Sequence, residues 1–187
     1  MAADRGVSGE PSLWPVVVRL GEVVRFTEAA PLSRHLAADE ATRKVIAKAL
    51  NLVSLDRFEA DLDIVGWFDG VRIDGRWRAE IVQTCGVSLD DFSTSLSGEF
   101  TVRAVPEDSR HAAPPESELE IDIDAEDPPD VLESDAVDLG AYLVEHLVLE
   151  IDPFPRKPGA VFEPPEPEVE ASPFAALLKL KGGDTEA

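Results

Sequence analysis

Asp138-Leu139-Gly140-Ala141-Tyr142-Leu143-Val144-Glu145-His146-Leu147-Val148-Leu149-Glu150-Ile151 is the stretch around which the rest of the chain is organised. Leu139, Tyr142, Leu143, His146, Leu147 and Ile151 recur at three- and four-residue steps, which puts them on one face of a helix about a dozen residues long. Asp138 offers a carboxylate to the free amides of the first turn and suits the positive end of the helix dipole. Pro153 cannot continue the ladder and pushes Asp152 out of helical geometry. Val144, Val148 and Leu149 widen the apolar stripe, so the helix is expected to lie against a sheet with little of it left wet.

That sheet is read upstream. Phe58, Ala60, Leu62 and Ile64 alternate with Glu59, Asp61 and Asp63; Trp77, Ala79 and Ile81 alternate with Arg76, Arg78 and Glu80. A third run, Leu96, Gly98, Phe100, Val102 and Ala104, ends at Pro106. Period-two patterning with one wet face predicts three successive antiparallel strands, a meander. Asp69-Gly70 is the expected hairpin turn, with Asp74-Gly75 a second candidate. Behind Asp39 as N-cap, Thr42, Val45, Ile46, Ala49 and Leu50 share a face and Lys48 suits the negative end, which predicts another helix. Trp14 to Phe26 suits an opening strand with a second piece after Gly21, stopped by Pro31.

The expected fold class is therefore α+β: an antiparallel meander sheet packed against two main helices. Residues 1–11 are small and polar and are expected to be disordered, 12–162 to form one domain, and 163–171, rich in Pro and Glu, to be a stiff linker. Ser172-Pro173-Phe174-Ala175-Ala176-Leu177-Leu178-Lys179-Leu180-Lys181 then reads as a short C-terminal helix within 172–187, with Ser172 as N-cap and Pro173 at the first helical position. Phe174, Leu177 and Leu178 give it a sticky face, to be docked on its own domain or in a partner's groove.

Acids outnumber bases by 38 to 17, and the formal net charge of -21 repels phosphate backbones and anionic lipid surfaces. Residues 107–138 concentrate this excess, with Arg110 their single lysine or arginine. They read as a solvated arm or as a contact for something basic, and within them Leu119, Ile121 and Ile123 alternate with acids like a charged edge strand. A single cysteine, Cys85, excludes an internal disulfide and agrees with a reducing compartment. Met1-Ala2-Ala3-Asp4-Arg5 lacks a signal peptide's apolar core, and no apolar run approaches membrane-spanning length. The expected location is the cytoplasm.

No glycine-rich phosphate loop, nucleophile elbow or metal-binding helix motif occurs. His35, His111 and His146 are far apart and none has a cysteine or histidine at metal-ligand spacing; His146 reads as a core or boundary residue. Asp90 and Asp91, before Phe92, read as turn formers. No catalytic residue, cofactor or metal is expected. Arg156-Lys157, bracketed by Pro155 and Pro158, is a rigid turn presenting two cations to an acidic groove or a phosphate.

Three separated segments carry a resemblance: Gln83-Thr84-Cys85-Gly86-Val87-Ser88-Leu89-Asp90-Asp91-Phe92; Asp138-Leu139 with Glu145-His146-Leu147 and Asp152-Pro153-Phe154-Pro155-Arg156-Lys157-Pro158-Gly159; and the tail from Ser172 to Lys181. Over about residues 53–181 the chain resembles the bacterial YceD family in its alphaproteobacterial form. Many relatives carry a second cysteine at the position of Ser88 and a cysteine pair where this chain has Arg156-Lys157-Pro158-Gly159. Four thiolates could hold zinc and one cannot, so that role does not carry over. The resemblance implies a part in large ribosomal subunit biogenesis, supporting accumulation of 23S rRNA. On physical grounds the expected form is a non-enzymatic acidic factor that contacts a basic ribosomal protein or large-subunit precursor. Its contact residues are expected to be Arg156, Lys157, Phe174, Leu177 and Leu178. The alternatives are direct rRNA contact through Arg72, Arg76, Arg78 and the Arg156-Lys157 turn, or an enzyme, which would need Cys85, His146 and a carboxylate within hydrogen-bond reach.

Overall fold

The computed structural model describes residues 12–112 and 127–162. The three alternating runs form long strands, β3 (Ser54–Trp67), β4 (Gly70–Thr84) and β5 (Asp91–Pro106). They pair antiparallel in chain order, as the alternation requires. Their apolar rows are buried: Phe58, Ala60, Leu62 and Ile64 on β3 and Ile73, Trp77, Ala79 and Ile81 on β4. Glu80, Arg76 and Asp61 stand on the wet side. Phe58 sits at the centre, its ring 5.2 Å from that of Trp14 and 6.1 Å from that of Trp77.

Two further strands complete a five-stranded sheet in the order β2-β3-β4-β5-β6. β2 (Leu32–Ala37) pairs antiparallel with β3, and β6 (Asp130–Leu132) pairs parallel with β5. Neither was readable, since β2 mixes polar and apolar residues without strict alternation and β6 has three residues directly after two prolines. Asp127-Pro128-Pro129-Asp130, whose prolines would break a strand, thus ends by starting one.

The helix at 139–150, α3 (Leu139–Glu150), packs on β5 and on β1 (Val17–Arg19), which pairs with β7 (Ala136–Asp138) in a separate two-stranded sheet. Asp138 caps it as expected: one carboxylate oxygen accepts from Gly140 N at 3.0 Å, Ala141 N at 3.3 Å and Val16 N at 3.1 Å. The cap therefore also holds the N-terminal strand. Leu139, Tyr142, Leu143, Val144 and Leu147 are buried, but Val148 and Leu149 are exposed, so more of the helix is wet than its composition suggests. One sheet covers one side only.

The other main helix, α2 (Glu40–Ala49), lies on β3 with Asp39 accepting from Thr42 N at 2.7 Å. Its buried face is turned by about one residue from the expected one. Ile46 and Ala47 are buried and Val45 is half exposed, while the Arg43 guanidinium donates to the Ala38 carbonyl at 2.7 Å.

Three turn and strand readings are corrected. The piece after Gly21 is a single helical turn, α1 (Leu20–Val23), not a strand. The β3–β4 hairpin turns at Phe68-Asp69, one residue early, with Trp67 paired to Gly70 and Phe68 held at φ 52°. Asp74-Gly75 lies in the middle of β4, where Gly75 faces Phe100 and makes room for its ring. The expected strand at 119–124, the linker and the terminal helix with Phe174, Leu177 and Leu178 lie outside the described residues.

Candidate functional site

Two of the segments that carry the resemblance, far apart in sequence, meet at one end of the sheet. After Thr84 the chain makes a tight loop: Leu89 N donates to the Cys85 carbonyl at 2.9 Å, Cys85 N donates to the Asp90 carbonyl at 2.8 Å, and Leu89 takes φ 61°. The segment beyond α3 clasps this loop. Gly86 N donates to the Pro155 carbonyl at 2.9 Å, Gln83 Nε2 to the Asp152 carbonyl at 3.1 Å and Lys157 N to Cys85 Sγ at 3.3 Å. Lys157 Nζ reaches Asp90 at 3.2 Å, and Thr84 Oγ1 donates to Asp91 at 2.8 Å. Asp91 thus closes the Cys85 loop on itself while Asp90 ties it to the segment beyond α3, and the hydrogen bond and ion pair with Lys157 keep the Asp90 carboxyl below the usual carboxylate range.

Cys85 is buried at the centre of this clasp. The Ser88 hydroxyl, then the amides of Ser88 and Lys157, pull its pKa from 9.0 down to about 6, because donors aimed at sulfur favour the thiolate. This donor set fits a thiolate and not a metal. Ser88 and the Arg156-Lys157 segment supply hydrogen-bond donors where a zinc site needs sulfur or imidazole. Among the described residues no group of three His, Cys, Asp or Glu converges.

The depressed pKa has a checkable consequence. The thiolate's contribution to stability is fully present above the unfolded pKa, near 9, and is lost as pH falls through about 6. Titration by thiolate ultraviolet absorbance is expected to give a midpoint near 6. Ser88→Ala, which removes the first of the stabilising donors, is expected to move that midpoint upward. An unmoved midpoint in Ser88→Ala would show that the hydroxyl does not hold the charge.

The remaining residues of interest are dispersed. Arg156 is exposed beside the clasp, flanked by the exposed Phe154, and Leu89 is exposed on the facing loop. Arg72 lies near the far end of β4, about 40 Å away along a strand rising ~3.3 Å per residue. It is bound by Glu28 at 2.8 Å and Asp74 at 3.0 Å, which raise its pKa, Glu28 the more. Arg78 leans on Glu59 at 3.7 Å. Arg72, Arg76, Arg78 and the Arg156-Lys157 turn therefore do not form one basic patch. His146 is a boundary residue stacked on Phe100 with ring centroids 4.2 Å apart, and burial lowers its pKa. Phe100 pairs with Gly75, and Cys85 is about 30 Å further along β4 at the same rise per residue. The cysteine, histidine and carboxylate required of an enzyme are not brought together.

Sequence reading found the wet face of the sheet but missed the groove on it. There β3 presents Glu59, Asp61 and Asp63, and a shallow groove of ≈ 500 Å³ is lined by Asp61, Asp63, Asp74, Glu99 and Arg76. The signal was available as the polar half of each alternating run; what could not be read was the register that sets Asp61, Asp63, Asp74 and Glu99 around Arg76.

Residues 73–181, more than half of the chain, match the family model described as "Large ribosomal RNA subunit accumulation protein YceD". The match begins inside β4, later than residue 53, and takes in both clasped loops and α3. No curated protein and no solved structure matches the chain.

Proposed function

We propose, from the premise that this chain belongs to the YceD family, whose description assigns it to large ribosomal RNA subunit accumulation, that it acts as a non-enzymatic escort which contacts a basic ribosomal protein. The observation that carries this is the fate of the bases. Arg19, Lys44, Arg57, Arg72, Arg78 and Lys157 are each engaged by a carboxylate of the same chain. With 38 acids to 17 bases, the surplus presented outward is anionic. Such a field repels an RNA backbone and draws in a basic protein at long range.

On this reading residues 12–162 are one cytoplasmic domain, 107–138 supply electrostatic steering, and the Arg156-Lys157 turn is a local contact. The terminal segment, with Phe174, Leu177 and Leu178, is an anchor on a linker at 163–171. Support for a non-enzymatic role comes from Cys85 and Asp90 being occupied in joining two loops and Asp91 in closing one of them. Affinity purification of the tagged full chain over a salt gradient tests the reading. Large-subunit proteins are expected to co-purify at low salt and to be lost steadily as salt approaches about 0.5 M, where screening is strong. Retention up to high salt would contradict electrostatic steering. Recovery of ribosomal RNA with no basic protein would favour direct RNA contact.

A further inference from the structure

Among the described residues, the outermost strand β2 has a side with no partner. There it pairs only with β3, and the alternation of its backbone is fixed at two points. Ala38 N donates to the Phe58 carbonyl, so the even-numbered residues direct their backbone groups toward β3. The Ser33 carbonyl accepts from the guanidinium of Arg34 at 3.2 Å, an exposed contact off the ladder. Ser33, His35 and Ala37 consequently turn their amides and carbonyls to the open edge. Among the described residues nothing pairs with the backbone of His35 or Ala37 there.

Open edges are commonly guarded by proline, by a bulge or by a covering element. Here Pro31 precedes the strand and none lies within it. Among the described residues the guard is Arg34, which shares the core-side row with Leu32 and Leu36. It disfavours a second copy of this chain. Partners across an antiparallel ladder share a face, so self-pairing centred on the strand sets Arg34 opposite Arg34 or His35 opposite His35. Two chains of charge -21 would also repel.

The wet face beside this edge is acidic. Ser33 Oγ meets Asp63 at 2.6 Å and His35 Nδ1 meets Asp61 at 2.8 Å. Behind them lies the groove in which Asp61, Asp63, Asp74 and Glu99 surround Arg76. A strand added at β2 would lie two strand spacings, about 9.5 Å, from the row of Asp61 and Asp63, within reach of an extended lysine or arginine.

We propose that the open edge of β2 is a docking edge for an extended basic segment of a protein partner, which pairs with Ser33, His35 and Ala37 through its backbone and lays alternate cations over Asp61 and Asp63. This deepens the ribosomal-protein reading and rests on it. Backbone pairing supplies affinity, and the carboxylate row selects lysine or arginine at every second position.

Fluorescence anisotropy of the full chain with a labelled peptide of about ten alternating lysine and threonine residues tests this. Methylating alternate backbone amides of the peptide is expected to weaken binding about tenfold, because it removes several edge hydrogen bonds and leaves the charge. His35→Pro is expected to act alike, since its lost N–H lies off the β3 ladder. Paired Asp61→Asn and Asp63→Asn should weaken binding and flatten its salt dependence. Equal binding of the methylated and parent peptides would overturn the proposal. So would unchanged binding by a His35→Pro chain with a native circular dichroism spectrum. If that variant loses the native spectrum, the methylated peptide on the unaltered chain decides. Displacement of the peptide by single-stranded RNA that His35→Pro binds equally well would also overturn it. Undiminished capture of large-subunit proteins by His35→Pro sinks the edge and spares the ribosomal reading. Backbone-dependent peptide binding by a chain that captures no such protein does the reverse.

Discussion

Gly140→Ala is expected to destabilise the fold by about 3 kcal/mol or more, the cost of overpacking against atoms that cannot move. Gly140 is in the first turn of α3, and a Cβ there would lie 1.7 Å from the Trp14 carbonyl oxygen and 2.8 Å from its carbon. These are backbone atoms held from both sides. Leu139 N donates to the Val16 carbonyl at 2.8 Å, Val16 N donates to Asp138, and the Trp14 indole packs on Phe58. Relief therefore requires the N-terminal strand to leave the helix, which uncovers the centre of the core. The helical preference for alanine over glycine offsets about 1 kcal/mol at most. Urea unfolding measures the effect. Gly21→Ala is the control, because a Cβ at Gly21 meets nothing within 4 Å. A loss below ~1 kcal/mol in Gly140→Ala would mean that Trp14 is not held against the helix.

That contact explains where sequence reading stops. The alternation of β3, β4 and β5, the N-caps Asp39 and Asp138 and the apolar face of α3 are local patterns, each decided by neighbours within a few residues, and the structure has them. What escaped is non-local. The strand at Leu32–Ala37 exists because β3 offers it a ladder, and its own residues carry no period. The short strand at Val17–Arg19 exists because Ala136–Asp138 lies beside it. Val148 and Leu149 are as apolar as Leu147, and only the position of β5 leaves them wet.

The candidate site divides in the same way. The Cys85 loop and the Arg156-Lys157 turn were separately readable as motifs, but their union through Lys157 N and Cys85 Sγ needs the length of α3 and the end of β4 to coincide. Sequence order likewise put Arg72, Arg76 and Arg78 together with Arg156 as one cationic set, which the length of β4 pulls apart. The acidic groove on the wet face was hidden because it depends on the register between three strands, which the alternation alone does not set.

Gly75→Ala is expected to cost about 2 to 3 kcal/mol, and most of that cost is expected to vanish when Phe100 is also alanine. Gly75 and Phe100 are cross-strand partners on β4 and β5, and two pairs further along the roles reverse, with Trp77 opposite Gly98. Each aromatic ring lies over the glycine facing it: a Cβ at Gly75 would be 2.4 Å from Phe100 Cε1 and Cζ, and one at Gly98 would be 2.9 Å from the Trp77 indole. The Phe100 ring cannot retreat, because His146 stacks on it at 4.2 Å with the planes 13° apart. A Leu62 methyl, 2.9 Å from the same point, blocks the remaining direction. The sheet glycines are thus the space into which the rings pack, and α3 closes it from above. A double-mutant cycle of Gly75→Ala and Phe100→Ala should give a coupling of about 2 kcal/mol. Phe100→Ala should also let water reach His146, so its titration, lowered by burial, should rise toward the ordinary histidine value. Additive losses in the cycle together with an unmoved His146 titration would show that the ring does not fill the space between Gly75 and α3.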